Sequence, residues 1–207
     1  ILRANGTAIL FLINPNGIVF GENAAFDIGG SFLATTANSI NFADGTKFSA
    51  TQPQTAPLLT INVPTGLQFG ATAAPIRNQS QASQNDVTNF SVRTVGLQVS
   101  TGKTLALIGG DVSLESGNLT ANSGRIELAS VANDSLVSLN SIDFGWILGY
   151  ESVKNFQNIQ IIGRNIDEDI IVDVSSEDGS GSIRVQGNSV NLIGERVRLR
   201  SVTKSAR

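Results

Sequence analysis

Phe11 to Ser31 reads FLINPNGIVFGENAAFDIGGS. An apolar run, Ile9 to Ile13, stops at Asn14-Pro15-Asn16-Gly17, and a second, Ile18 to Phe20, stops at Gly21-Glu22-Asn23. Asn suits the first position of a tight turn, Pro pre-sets the backbone angle of the second, and Gly at the fourth suits a type I turn. The stretch therefore predicts strand, tight turn, strand.

Working outward, residues 7 to 50 continue in short apolar runs: Ala8–Ile13, Ile18–Phe20, Ala24–Ile28, Ser31–Thr36, Ser39–Phe42 and Thr46–Ala50. Gly, Asn or Asp-Gly bounds each run. None has the length or the 3.6-residue period of a helix. Phe falls at positions 11, 20, 26, 32, 42, 48 and 69, each within or beside an apolar run. Rings so placed are expected to stack in a core, with a ligand-stacking face as the alternative.

The longer string, Asn14 to Ile18 followed by Val19-Phe20-Gly21 and by Ala25-Phe26-Asp27-Ile28-Gly29-Gly30-Ser31-Phe32-Leu33-Ala34-Thr35-Thr36, resembles the secretion domain of two-partner secretion exoproteins. That family is also described as the haemagglutination-activity domain of filamentous haemagglutinin-like adhesins. Asn14, Pro15, Asn16, Gly17 and Ile18 match one of its two signature motifs. The other, of Asn-Pro-Asn-Leu type, lies upstream in relatives and has no match here, so the chain is expected to lack the N-terminal part of the domain. The resemblance is closest over residues 5 to 70, extends more weakly to 130, and is compositional beyond.

The resemblance implies export to the periplasm of a Gram-negative-type bacterium. There, by the same resemblance, the periplasmic domains of a dedicated outer-membrane β-barrel transporter are expected to recognise the domain. It is expected to cross unfolded, fold outside as a right-handed parallel β-helix, and template a long surface adhesin or haemolysin, secreted or held at the cell surface. It also implies that the pentad, Asn14 to Ile18, is a secretion and structural motif.

A repeat in the second half supports that fold independently. Leu105-Ala-Leu107, Val112-Ser-Leu114, Leu119-Thr-Ala121 and Ile126-Glu-Leu128 start seven residues apart, as do Ile183-Arg-Val185, Val190-Asn-Leu192 and Val197-Arg-Leu199. The paired apolar residues are two apart, which is the period of a strand with one face buried. Gly109, Gly110, Gly117, Gly124, Gly187 and Gly194 intervene at a density no long helix tolerates. Three units make a cycle of about 21 residues, the signature of a solenoid of short strands. The expected fold is all-β, a parallel β-helix with about 21 residues per coil and extra-helical hairpin or loop elements, right-handed as the resemblance implies.

Residues 1–100 are expected to form the C-terminal part of the secretion domain, leaving the regular core near 51–95, where Pro53, Pro57 and Pro64 cluster. Residues 71–91 are polar around Ile76 and read as an exposed loop. Residues 101–207 are expected to continue the coils, with an irregular insertion near 131–164 that carries Trp146 and Tyr150 and packs on the outside. Asp167-Glu168-Asp169 reads as a solvated turn. Arg196, Arg198, Arg200, Lys204 and Arg207 read as an exposed strand face or an anion-binding strip.

Composition narrows the chemistry. The 207 residues include no Cys, His or Met, and 15% are charged, against about a quarter in ordinary domains. No disulfide, Ser-His triad, cysteine nucleophile or ordinary zinc site is available. A net charge of -3 points to no nucleic acid or membrane-surface partner. No apolar stretch reaches 18 residues, so no transmembrane helix and no membrane insertion are expected. No cofactor, metal or catalytic residue is assigned. Two further readings stay open. One is an adhesin that binds cell-surface carbohydrate directly through Trp146, Tyr150 or the loop 71–91. The other is a polysaccharide hydrolase or lyase using carboxylates among Asp27, Asp44, Asp111, Asp143, Asp167, Asp169, Asp173 and Asp178.

Overall fold

The computed structural model describes residues 1–52, 63–83, 94–142, 145–163, 169–177, 179, 181–194 and 197–202. All regular structure among them is β. After β1 (Leu2–Ala4) come β2 (Leu10–Ile13), β3 (Ile18–Phe20) and β4 (Phe26–Ile28). The chain returns beside β2 as β5 (Phe32–Thr35), then leaves to make β6 (Ser39–Phe42), β7 (Lys47–Ser49) and β8 (Pro64–Gln68). It resumes with β9 (Ile76–Asn78) and β10 (Leu97–Gln98). An uninterrupted circuit follows: β11 (Thr104–Gly109), β12 (Val112–Glu115), β13 (Leu119–Thr120). After β14 (Arg125–Ser130) it leaves again for β15 (Leu136–Ile142) and β16 (Gly145–Gly149), then returns as β17 (Asn158–Ile162) and β18 (Ile170–Asp173). β19 (Ser182–Gln186), β20 (Ser189–Ile193) and β21 (Val197–Arg200) complete the last circuit.

Three parallel sheets result. Their orders are β19-β14-β11-β5-β2, β20-β17-β12-β9-β3 and β10-β13-β18-β21, with β1 and β4 paired separately. The chain visits them in turn and comes back to the first. The expected period is visible where nothing interrupts it: Thr104 lies beside Arg125, 21 residues on. Leu10 lies beside Phe32 and Leu97 beside Leu119, 22 on. The excursion through β6–β8 stretches the step from Phe32 to Leu105 to 73 residues.

The dipeptide period decides what is inside. Leu105, Leu107, Val112, Leu114, Leu119, Ile126 and Leu128 all join one core, fully buried. Columns run across the sheets, such as Leu10–Phe32–Leu105–Ile126–Ile183. Phe20, Phe26 and Phe32 form a ring cluster in this core, with centroids 4.2 to 6.2 Å apart. Phe48 departs from the expected stack and is exposed.

A fourth sheet, β16-β15-β8-β6-β7, is antiparallel throughout and packs on the outer face of the first. Leu33, Ala106 and Ile108 on that face meet Ile40, Leu67, Val137, Leu139, Trp146 and Leu148 in a second core. Ser39–Phe42 and the run at Lys47–Ser49, which read as part of the regular series, belong to this sheet. Of the interval 131–164, β15 and β16 lie here, whereas β17 is a member of the second parallel sheet.

The loop expected at 71–91 is corrected at its centre. Ile76–Asn78 is β9, paired between β3 and β12, and Ile76, Asn78 and Ser80 are fully buried. Asn78 takes the inward position between Phe20 and Leu114. Its amide donates to the Asn118 carbonyl at 3.2 Å and its Oδ1 accepts from Ser80 N–H at 3.1 Å, so its polar atoms are satisfied inside the core. Residues 84–91 of that loop, with Pro53 and Pro57, lie outside the described residues.

Candidate functional site

The pentad makes the corner between the first and second sheets. Gly17 N–H donates to the Asn14 carbonyl at 3.1 Å, closing a four-residue turn with Pro15 second. Asn16 N–H donates to Asn14 Oδ1, also at 3.1 Å, so the Asn14 side chain braces the turn from within. Gly17 has φ +110°, a conformation side-chain-bearing residues rarely adopt, and a Cβ there would lie 3.2 Å from the Pro75 carbonyl oxygen.

The corner is keyed to the next circuit at both ends. Asn14 N–H donates to the Thr35 carbonyl at 3.0 Å and Ile18 N–H to the Pro75 carbonyl at 3.1 Å. Ile18 enters the core beside Ile76. Further along, Thr36 Oγ1 and Gly110 N–H both donate to the Ala74 carbonyl, at 2.8 and 2.9 Å. Asn158 N–H donates to Asp111 Oδ1 at 3.2 Å, and Ser189 Oγ to Asn158 Oδ1 at 2.7 Å. Polar corner residues thus carry hydrogen bonds from circuit to circuit, while Asn14 and Asn16 remain exposed.

The residues offered for direct sugar binding are placed differently. Trp146 is 2% exposed and packs on Phe11, with ring centroids 4.7 Å apart. Tyr150 is 8% exposed and donates its hydroxyl to Glu127 Oε1 at 2.9 Å. Both rings are buried, which corrects the reading of them as surface aromatics.

Among the described residues the candidate carboxylates do not converge. Asp27 pairs with Arg3 at 2.6 Å, Asp44 accepts from Thr46, and Asp173 is buried and accepts from Ser175 N–H at 2.8 Å. Asp169, read as solvated, has a side chain only 4% exposed and lies 3.7 Å from Arg198. Asp143, Asp167, Glu168 and Asp178 lie outside the described residues, as do Arg196, Lys204 and Arg207.

One buried polar cluster went unrecognised in the sequence. Glu127 on β14 is fully buried, with Tyr150 Oη on one oxygen and Arg184 Nε 3.6 Å from it. Its Oε2 is buried without a hydrogen-bond partner. Arg184 sits 4.7 Å over the Tyr150 ring and donates to the Leu148 carbonyl at 2.9 Å. Burial raises the Glu127 carboxyl above its ordinary range, although Tyr150, Arg184 and Arg125 pull it down. Burial, with Glu127 alongside, pushes the Tyr150 hydroxyl far above the usual phenol range. The signal was a Glu at an outward position of a strand triplet, Ile126-Glu-Leu128. That looks solvated until a covering sheet is known.

No curated protein and no solved structure matches the chain. Residues 1–185 match the family described as the TPS secretion domain, where TPS stands for two-partner secretion, and with that span covered the chain belongs to this family.

Proposed function

We propose that this domain directs export through a dedicated outer-membrane transporter, whose periplasmic domains recognise it, and nucleates β-helix folding of a secreted exoprotein. In this reading the three parallel sheets are the faces of one right-handed parallel β-helix, and the protein ends outside the cell or on its surface. The pentad at Asn14 to Ile18 acts by fixing the corner between β2 and β3.

The observation that carries the reading is that corner itself. Family membership places the chain in two-partner secretion. The motif joins β2 to β3, and its two ends hold the next circuit through Thr35 and Pro75. Each strand pairs in parallel with its counterpart in the next circuit, and strand addition of that kind outside the cell would bias translocation without an ATPase. Catalysis has no comparable support. The carboxylates whose partners are given above are dispersed in ion pairs and turns, and the reading is of a non-enzymatic module.

The test is secretion with the partner transporter co-expressed. The parent is expected in the medium with β-rich circular dichroism, and a variant carrying Asn14→Ala and Gly17→Val is expected to be retained. Equal export and equal stability of the variant would sink the role given to the corner. Retention of both would sink the secretion reading.

A further inference from the structure

We propose that β15 and β16 form a strap across the first parallel sheet that opens as a unit while the sheet beneath stays folded, with Glu127, Tyr150 and Arg184 as its latch. The proposal stands whether or not the secretion reading does.

The outer face of the first sheet carries the column Phe11–Leu33–Ala106–Glu127–Arg184, one residue from each of five adjacent strands. It is apolar at one end and charged at the other. At the apolar end Trp146 lies on Phe11. At the charged end Tyr150 and the Leu148 carbonyl take Glu127 and Arg184. Gly145 lies close over the sheet as well: a Cβ there would stand 2.8 Å from Thr104 Cβ. A single strand, β16, with the residue that follows it, therefore bears on β2, β11, β14 and β19. In a stack of repeated circuits each strand otherwise touches only its neighbours. The strap is a connection of a different order.

Its attachment is narrow. Within the antiparallel sheet it is joined to β8 by three residue pairs, Leu136–Gln68, Val137–Leu67 and Ser138–Gly66. Among the described residues no strand lies beside the far edge of β16, and Ile142 and Ile147 are exposed. Segments with few pairings and an open edge belong to the low-stability end of a molecule. What adds to their hold is the apolar seat of Val137, Leu139, Trp146 and Leu148 and the latch.

The latch has a built-in pH direction. The groups facing Glu127 are Arg184 on β19, Arg125 on its own strand and Tyr150 of the strap, while β11 presents the uncharged Ala106. With the strap closed, burial favours the protonated carboxyl. With it open, Glu127 returns to water and to its ordinary range. Closure is therefore strongest at acid pH and weakens as pH rises through the closed-state titration.

Hydrogen exchange of the 207-residue chain, read by segment and corrected for the chemical exchange rate, tests this. Residues 136–142 and 145–149 are expected to exchange together, ahead of Leu105–Leu107, and faster as pH rises. Tyr150→Phe keeps the ring and removes one buried hydrogen bond. It should raise exchange in the strap up to about tenfold and leave Leu105–Leu107 unchanged. Glu127→Gln should remove the pH dependence. The proposal is overturned if the strap exchanges only as slowly as Leu105–Leu107, if Tyr150→Phe loosens all sheets alike, or if Glu127→Gln keeps the parent's pH profile.

Discussion

The two faces of the first parallel sheet are covered by cores assembled in different ways. The inner core draws on residues that recur every 21 or 22 positions wherever the circuits are uninterrupted, and each contributes to its own circuit and the next. The outer core joins two excursions, β6–β8 and β15–β16, whose strands pair where β8 meets β15. Equal burial thus hides unequal connectivity. A lesion inside is shared by every sheet, whereas a lesion outside can be confined to the cover.

The sharpest break of that comparison comes from Leu107→Asp. Leu107 is fully buried between Ala34 and Leu128, and an unpaired carboxylate there has no partner. The loss should exceed about 4 kcal/mol and abolish the cooperative urea transition seen by far-UV circular dichroism. Trp146→Ala, outside, removes a larger side chain yet should act locally. A cost of about 3–5 kcal/mol is expected in the near-UV signal and in strap protection, with the far-UV spectrum largely retained. Complete unfolding of this variant would show that the two cores are one cooperative unit.

Gly17→Val probes the inner system at its corner. The β-branched residue is forced to φ +110° and brings a Cβ against the Pro75 carbonyl oxygen. About 1–3 kcal/mol should be lost, read as a lower urea midpoint, with strap exchange unaffected. Smaller still is the effect of pH through Glu127. Its carboxyl is raised in the folded protein, so its contribution is fully present below the unfolded value near ~4.3 and is lost as pH rises through the folded one. The parent's urea midpoint should therefore fall relative to that of Glu127→Gln over that window. A relative rise would reverse the sign assigned to burial.

What could be read in advance follows the same division. Leu105-Ala-Leu107 to Ile126-Glu-Leu128 spelled out β11 to β14 because strand period and circuit period are both short-range properties of the chain. The turn at Asn14–Gly17 was legible for the same reason, since its residues dictate their own backbone angles. Ile76–Asn78 was not. A three-residue strand shows almost no period, and its inward Asn78 is tolerated only because Asn118 and Ser80, distant in part, satisfy it. Trp146 and Tyr150 were misjudged because whether an insertion's aromatic rings face solvent depends on the sheet they land upon. Glu127 looked like any outward charge.

Asn14→Ala is the smallest change and separates two meanings of the motif. The side chain is exposed and makes one bond within the turn, from Asn16 N–H, for which water can substitute. The backbone bonds of Asn14 to Thr35 and Gly17 do not depend on the side chain. Stability should fall by only about 0.5–1.5 kcal/mol, measured as a small shift in the urea midpoint. If the corner acts through folding alone, export should fall in proportion to that shift, and Asn14→Asp, which keeps the acceptor, should restore it. If Asn14→Ala stops export while the midpoint hardly moves, the exposed amide is itself what the transporter reads. The motif would then be a recognition surface standing on a turn that Gly17 and Pro15 are sufficient to fold.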